Sequence, residues 1–67
     1  MMNIKLNGKE ILIKDNINID NLLKLKKINK KNIVIEINKV IITKDLWSRK
    51  KLNENDEIEI ITAVGGG

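Results

Sequence analysis

The sequence closes on Thr62-Ala63-Val64-Gly65-Gly66-Gly67. A run of glycines builds nothing locally, because glycine gives up more backbone freedom on folding than any other residue. It does supply a slender arm with no Cβ to obstruct another protein, and a carboxylate at its tip on Gly67. A terminal carboxyl has a pKa of about 3.5, so at neutral pH it is an anion and a poor electrophile until a leaving group is attached. That carboxylate is the first candidate for chemistry. The ordinary alternatives are a linker remnant or a frayed end.

The rest of the chain offers little competition. It has no His, Cys or Tyr, so the usual general acids, bases and thiol nucleophiles are missing. Lysines and carboxylates are scattered with no pairing that suggests a site, and no thiolate metal centre or disulfide is available. A protein of this composition that takes part in sulfur chemistry cannot carry the sulfur on a cysteine. It is not expected to be an independent enzyme, nor to bind a metal or cofactor.

The net charge of +4 raises nucleic acid as a partner. Twelve of the 13 basic residues are lysine, whereas bidentate contacts to phosphate or guanine favour arginine. Trp47 is the single aromatic residue, so bases have nothing to stack on. The abundance of Ile, Lys and Asn fits the codon bias of an AT-rich genome, and the basicity reads as background. With no long apolar segment and no secretory pattern, the expectation is a soluble, cytoplasmic protein.

The elements that must position the tail follow from periodicity. Asn3-Ile4-Lys5-Leu6-Asn7 alternates as a half-buried strand, Asn7-Gly8 is a tight hairpin signal, and Glu10–Lys14 is the returning strand. Ile4, Leu6, Ile11 and Ile13 share the core face, which leaves Leu12 on the other side. From Asn18 the period changes to that of a short helix, with Ile19, Leu22 and Leu23 on one stripe. Asn18 is its N-cap, Asp20 sits in the first turn, and Ile17 with Leu22 has the spacing of a hydrophobic staple. Lys24, Lys26 and Lys27 load the far end, and Asn29 is the expected stop.

Ile33–Ile37 reads as a third strand, Asn38-Lys39 as a turn, and Val40–Thr43 as a fourth strand. A short irregular segment follows with Asp45, Leu46 and Trp47, in which Trp47 covers one edge of the core. After the turn at 53–56, Glu57–Thr62 is the last strand. There Ile58 and Ile60 face inward, and Glu59, Ile61 and Ala63 face outward. Strands around a single helix predict an α+β domain over residues 1–64, with residues 65–67 as a flexible tail.

This order and these turns resemble the ubiquitin-like β-grasp: a mixed sheet of four to five strands with one helix packed on one face. More narrowly, the chain resembles the ThiS family of sulfur carriers along essentially its full length. The resemblance is carried by Met2-Asn3-Ile4-Lys5-Leu6-Asn7-Gly8, Ile19-Asp20-Asn21-Leu22-Leu23, Glu36-Ile37-Asn38 leading to Val40-Ile41-Ile42, Trp47, and the closing stretch from Leu52 to Gly67. A strand running straight into a terminal Gly-Gly is its most telling part. Family members often have glycine where this chain has Asn16, Lys39 and Asn55. Asparagine tolerates the left-handed conformation, so two of these exchanges keep the turn chemistry, whereas Lys39 points to a turn of a different type.

The resemblance implies a carrier whose Gly67 carboxylate is adenylated by an activating enzyme that uses ATP. Conversion to a thiocarboxylate follows, with sulfur from a donor such as a cysteine desulfurase, and the sulfur passes to a thiazole synthase of thiamine biosynthesis. Gly65 and Gly66 form the delivery arm. Ile61, Ala63 and Val64 are the expected docking residues beside the tail, with Leu12 joining them, on a carrier that is monomeric when free. The alternatives are the small subunit of molybdopterin synthase, a ubiquitin-like modifier, and a small basic RNA-binding module.

Overall fold

The computed structural model describes residues 1–62. Strands β1 (Met2–Leu6) and β2 (Lys9–Ile13) form the opening hairpin, helix α1 spans Ile19–Leu25, and β3 (Ile33–Ile37) and β4 (Val40–Ile42) form a second hairpin. A 3-10 turn at Lys44–Leu46 precedes β5 (Glu57–Thr62). The described strands make one five-stranded sheet in the order β2-β1-β5-β3-β4. β1 and β5 run parallel and the other neighbours antiparallel, so the sheet is mixed, as expected. The first two strands each begin one residue earlier than their alternation suggests, which brings Met2 into the core and leaves Asn7 in the turn.

The hydrophobic stripe of α1 meets the inward side chains of the sheet. Ile19, Leu22 and Leu23 are fully buried against a cluster that includes Ile4, Ile13, Ile35, Ile37 and Ile58. Leu6 and Ile11 share that face but stay partly exposed at its margin. Seven residues make too short a helix to persist alone, so packing holds it. Its N-terminus is specified locally: Asn18 Oδ1 accepts the Asn21 N–H at 2.7 Å.

The C-terminus of α1 is a correction to the sequence expectation. The helix ends at Leu25 with Lys26 as its C-cap and Lys27 as the left-handed residue after it, not at Asn29. Lys27 takes φ 57°, the Ile28 N–H donates to Leu23 O at 2.9 Å, and the Lys27 N–H donates to Lys24 O at 3.1 Å. This is a Schellman cap with lysine where glycine usually sits, closed by Ile28 packing against the core. Asn29 works one turn later, where its Oδ1 accepts the Lys31 N–H.

Lys39 is the second correction. Asn38 and Lys39 both have positive φ, 52° and 68°, between the paired residues Ile37 and Val40. That is a two-residue left-handed hairpin turn, the type that glycine would serve, and not a different one. Asn16 and Asn55, at φ 62° and 67°, keep the left-handed turns as expected. An L-residue pays about 1–2 kcal/mol in this region, and glycine's larger unfolded-state entropy returns part of that gain. Lys27→Gly and Lys39→Gly should therefore each raise stability by about 0.5–1 kcal/mol in urea denaturation. A lower midpoint for either would show that its lysine side chain contributes more than its backbone costs.

The long connection from Thr43 to Asp56 contains no strand, and it is pinned at several points. Trp47 is 3% exposed and donates its indole N–H to Ile42 O at 2.9 Å, closing an edge of the core as expected. The Asn18 side chain donates to Ser48 O, the Ile19 N–H to Lys50 O, and the Leu52 N–H to Ile17 O. Leu52 itself is buried.

Candidate functional site

The residue that leads toward the tail is Thr62, the end of β5, and β5 is the central strand of the sheet. Two clamps hold it. On one side, β1 supplies a parallel ladder: the Lys5 N–H donates to Asp56 O and the Asn7 N–H to Ile58 O, both at 2.9 Å. The Asn7 side chain extends this ladder past the end of β1 by accepting the Ile60 N–H at 2.8 Å. On the other side, β3 pairs with β5 from Ile58, opposite Ile37, to Thr62, opposite Ile33.

The start of β5 is fixed by Asp56, which is 7% exposed. Its Oδ1 accepts from Asn38 Nδ2 at 3.0 Å and its Oδ2 accepts the Asn53 N–H at 2.8 Å. Asn38 in turn accepts the Glu57 N–H on its own Oδ1 and donates its backbone N–H to Glu57 O. A buried carboxylate is tolerated when its lone pairs are satisfied, and here both oxygens are. Sequence reading placed a turn at 53–56 but missed this lock, because Asn38 and Asp56 are brought together only by the sheet. The paired Asn-and-Asp at two turn positions is the sole signal that could have suggested it.

Ala63, Val64, Gly65, Gly66 and Gly67 lie outside the described residues. Of the expected docking residues that are described, Ile61 points outward as expected and is 45% exposed. It stands opposite Val34, with Ile41 one row away beside Glu36. Leu12 is not brought to this cluster. It pairs with Asn3, and because Lys5 is level with Glu57, Asn3 is level with Asn55, six residues before Ile61. Six extended residues put Leu12 roughly 20 Å from Ile61 along the strand direction. Leu12, 61% exposed, instead lines a groove of about 380 Å³ with Ile17 and Leu25, between the free edge of β2 and α1. Val34 and Ile41 were not anticipated, since outward parity does not say which strands are neighbours.

Among the described residues, no group of three or more His, Cys, Asp or Glu is placed to hold a metal ion. No helix among them is long and apolar enough to cross a membrane.

Comparison with known proteins agrees with this architecture. The model of the ThiS family matches residues 3–67. The chain is 38% identical over 65 residues to the sulfur carrier protein ThiS of Bacillus subtilis, covering 96% of this chain and 98% of that protein. It is 39% identical over 62 residues to the uncharacterized protein ycf40 of Trieres chinensis, covering 92% of this chain and 85% of that one. The crystal structure of the thiamine biosynthesis protein ThiS from Geobacter metallireducens superposes with a TM-score of 0.87 at 23% identity, covering 98% of this chain and all of that one. That superposition establishes the ubiquitin-like β-grasp fold. With a family model spanning nearly all of its length, the chain belongs to the ThiS family of sulfur carriers.

Proposed function

We propose that this protein carries sulfur as a thiocarboxylate on Gly67 and donates it for the thiazole moiety of thiamine. The observation that carries this is the central strand β5, clamped on both sides, leading at Thr62 into Ala-Val-Gly-Gly-Gly in a chain of the ThiS family. In the first step the Gly67 carboxylate attacks the α-phosphorus of ATP on a partner activating enzyme, and pyrophosphate leaves. A sulfur nucleophile then attacks the acyl carbon and AMP leaves. Hydrosulfide gives the thiocarboxylate directly, whereas the persulfide of a donor such as a cysteine desulfurase gives an acyl disulfide. A thiol reductant then cleaves the S–S bond of that disulfide with two electrons, leaving one sulfur on Gly67. The protein is a substrate of both the activating enzyme and the thiazole synthase rather than a catalyst itself. Gly65 and Gly66 let the arm enter a narrow site without side-chain clashes. Extended, Ala63 to Gly67 reaches about 16–18 Å from the sheet. Ile61, with Ala63 and Val64 beyond it, forms the docking surface at the base of the arm.

Incubation with the activating enzyme of the same organism, ATP and a sulfur donor should change the intact mass by replacement of one oxygen with one sulfur. Fragmentation should place the change on Gly67. A mass that never changes with enzymes competent on their own carrier would refute the proposal, and a sulfur mapped elsewhere in the chain would relocate the site.

A further inference from the structure

The outer face of the sheet carries a charge pattern opposite to that of the chain as a whole. Within the strands, outward positions hold Glu10, Glu36, Glu57 and Glu59 but a single lysine, Lys5, on a protein with twelve lysines and a net charge of +4. Lys5 stands opposite Glu10 and level with Glu57, between two carboxylates. Glu36 and Glu59 face each other directly across β3 and β5. Neither takes part in an ion pair among the described residues. Like charges directly opposite on a sheet are destabilising. A pair of this kind costs the free protein stability, and no ion pair among the described residues offsets it.

The pair borders the apolar cluster. Val34 opposite Ile61 forms the next row, and Ile41 stands beside Glu36 on β4. Ile41 is 61% exposed. Ile61 lies six residues before Gly67, so this face is the part of the sheet's outer surface nearest in sequence to the tail that an activating enzyme would take in.

We propose that the Val34–Ile41–Ile61 face docks on the tail-adenylating enzyme through an apolar surface that carries arginine or lysine, with Glu36 and Glu59 pairing to those cations. This rests on the carrier function proposed above and specifies the chemistry of its partner. The partner's cation turns a repulsive pair into an attractive site, so the two glutamates favour the bound state at the expense of the free one. A buried or half-buried interface charge of this kind governs affinity, while its outer rim governs association rate and salt dependence.

The test measures the affinity of the full chain for the adenylating enzyme of the same organism, together with thermal melting of the free protein. Glu36→Gln/Glu59→Gln keeps the shape and removes the charges. It should weaken binding about tenfold and flatten the salt dependence of association, while melting at the same temperature as the parent or higher. Glu36→Lys/Glu59→Lys should weaken binding further, and Ile61→Asp should do so without altering the melt. Unchanged affinity in the glutamine variant would overturn the proposal, as would a lowered melting temperature, which would mean that the pair supports the fold. The parent protein assayed for sulfur loading separates the two ideas. Loading by the parent with unchanged binding of the variant defeats this docking surface alone, whereas a parent that is never loaded defeats the carrier function.

Discussion

Removal of Gly66 and Gly67 is expected to abolish sulfur loading while the domain folds and melts as before. Among the described residues the hydrophobic core runs from Met2 to Ile58, with Ile60 packed at its margin, so truncation takes nothing from it. The described pairing of β5 with β3, up to Thr62, is likewise kept. The chemistry has no such margin. Cutting after Gly65 leaves a carboxylate at the new end, but it lies about 7 Å short of the original position in an extended chain. Displacement at phosphorus needs reacting atoms roughly 3–3.5 Å apart, and a misplacement of about 1 Å can cost on the order of a hundredfold. The shortened chain should therefore show no thiocarboxylate by intact mass on the timescale that converts the parent completely. Equal modification of the truncated protein would exclude the tail as the carrier. A changed circular dichroism melt would mean that the glycines contribute to the fold.

Replacement of Trp47 by alanine should cost about 3–5 kcal/mol, the range for removing a large buried aromatic side chain. A domain of this size has roughly 3–10 kcal/mol in total, so most or all of its stability is at stake. Trp47 anchors the strandless connection between β4 and β5, and its indole N–H satisfies the Ile42 carbonyl. Its loss both opens a void under that connection and leaves a carbonyl without its partner. Trp47→Phe refills most of the void but not the hydrogen bond, and should lose about 1–2 kcal/mol. Urea unfolding followed by circular dichroism reads all three proteins, since Trp47 is the only tryptophan and fluorescence is lost with it. A midpoint for Trp47→Ala close to that of the parent would show that the connection is not a structural closure of the core.

Part of the composition that reads as background turns out to be architecture. Ile, Lys and Asn are abundant in the manner of an AT-rich genome, yet asparagine does specific work at turns. Of the seven non-glycine residues with positive φ among the described residues, five are asparagine: Asn7, Asn16, Asn32, Asn38 and Asn55. Asparagine is among the few L-residues that enter this region readily, so a chain with four glycines in all, three of them in the tail, can still make tight turns. Lys27 and Lys39 have no such advantage, and their conformations are imposed by the Schellman cap and the β3–β4 hairpin.

By itself the sequence determined what depends on neighbours along the chain. Alternation placed Ile4, Ile13, Ile35, Ile37 and Ile58 inward, the 3.6-residue period and Asn18 set the start of α1, and the absence of His and Cys left the Gly67 carboxylate as the reactive group we propose. The tertiary structure alone decided who meets whom. A period of two assigns each strand residue to a face but says nothing about which strand lies beside it, or in what register. The folded sheet has the order β2-β1-β5-β3-β4, with α1 packed on one face. That order puts Asp56 against Asn38, Glu59 against Glu36 and Ile61 against Val34, and it leaves Leu12 at the other end of the sheet. The arm's chemistry is local and legible in the chain, whereas the surface at its base is made of residues from three strands and exists only once the sheet has closed around β5.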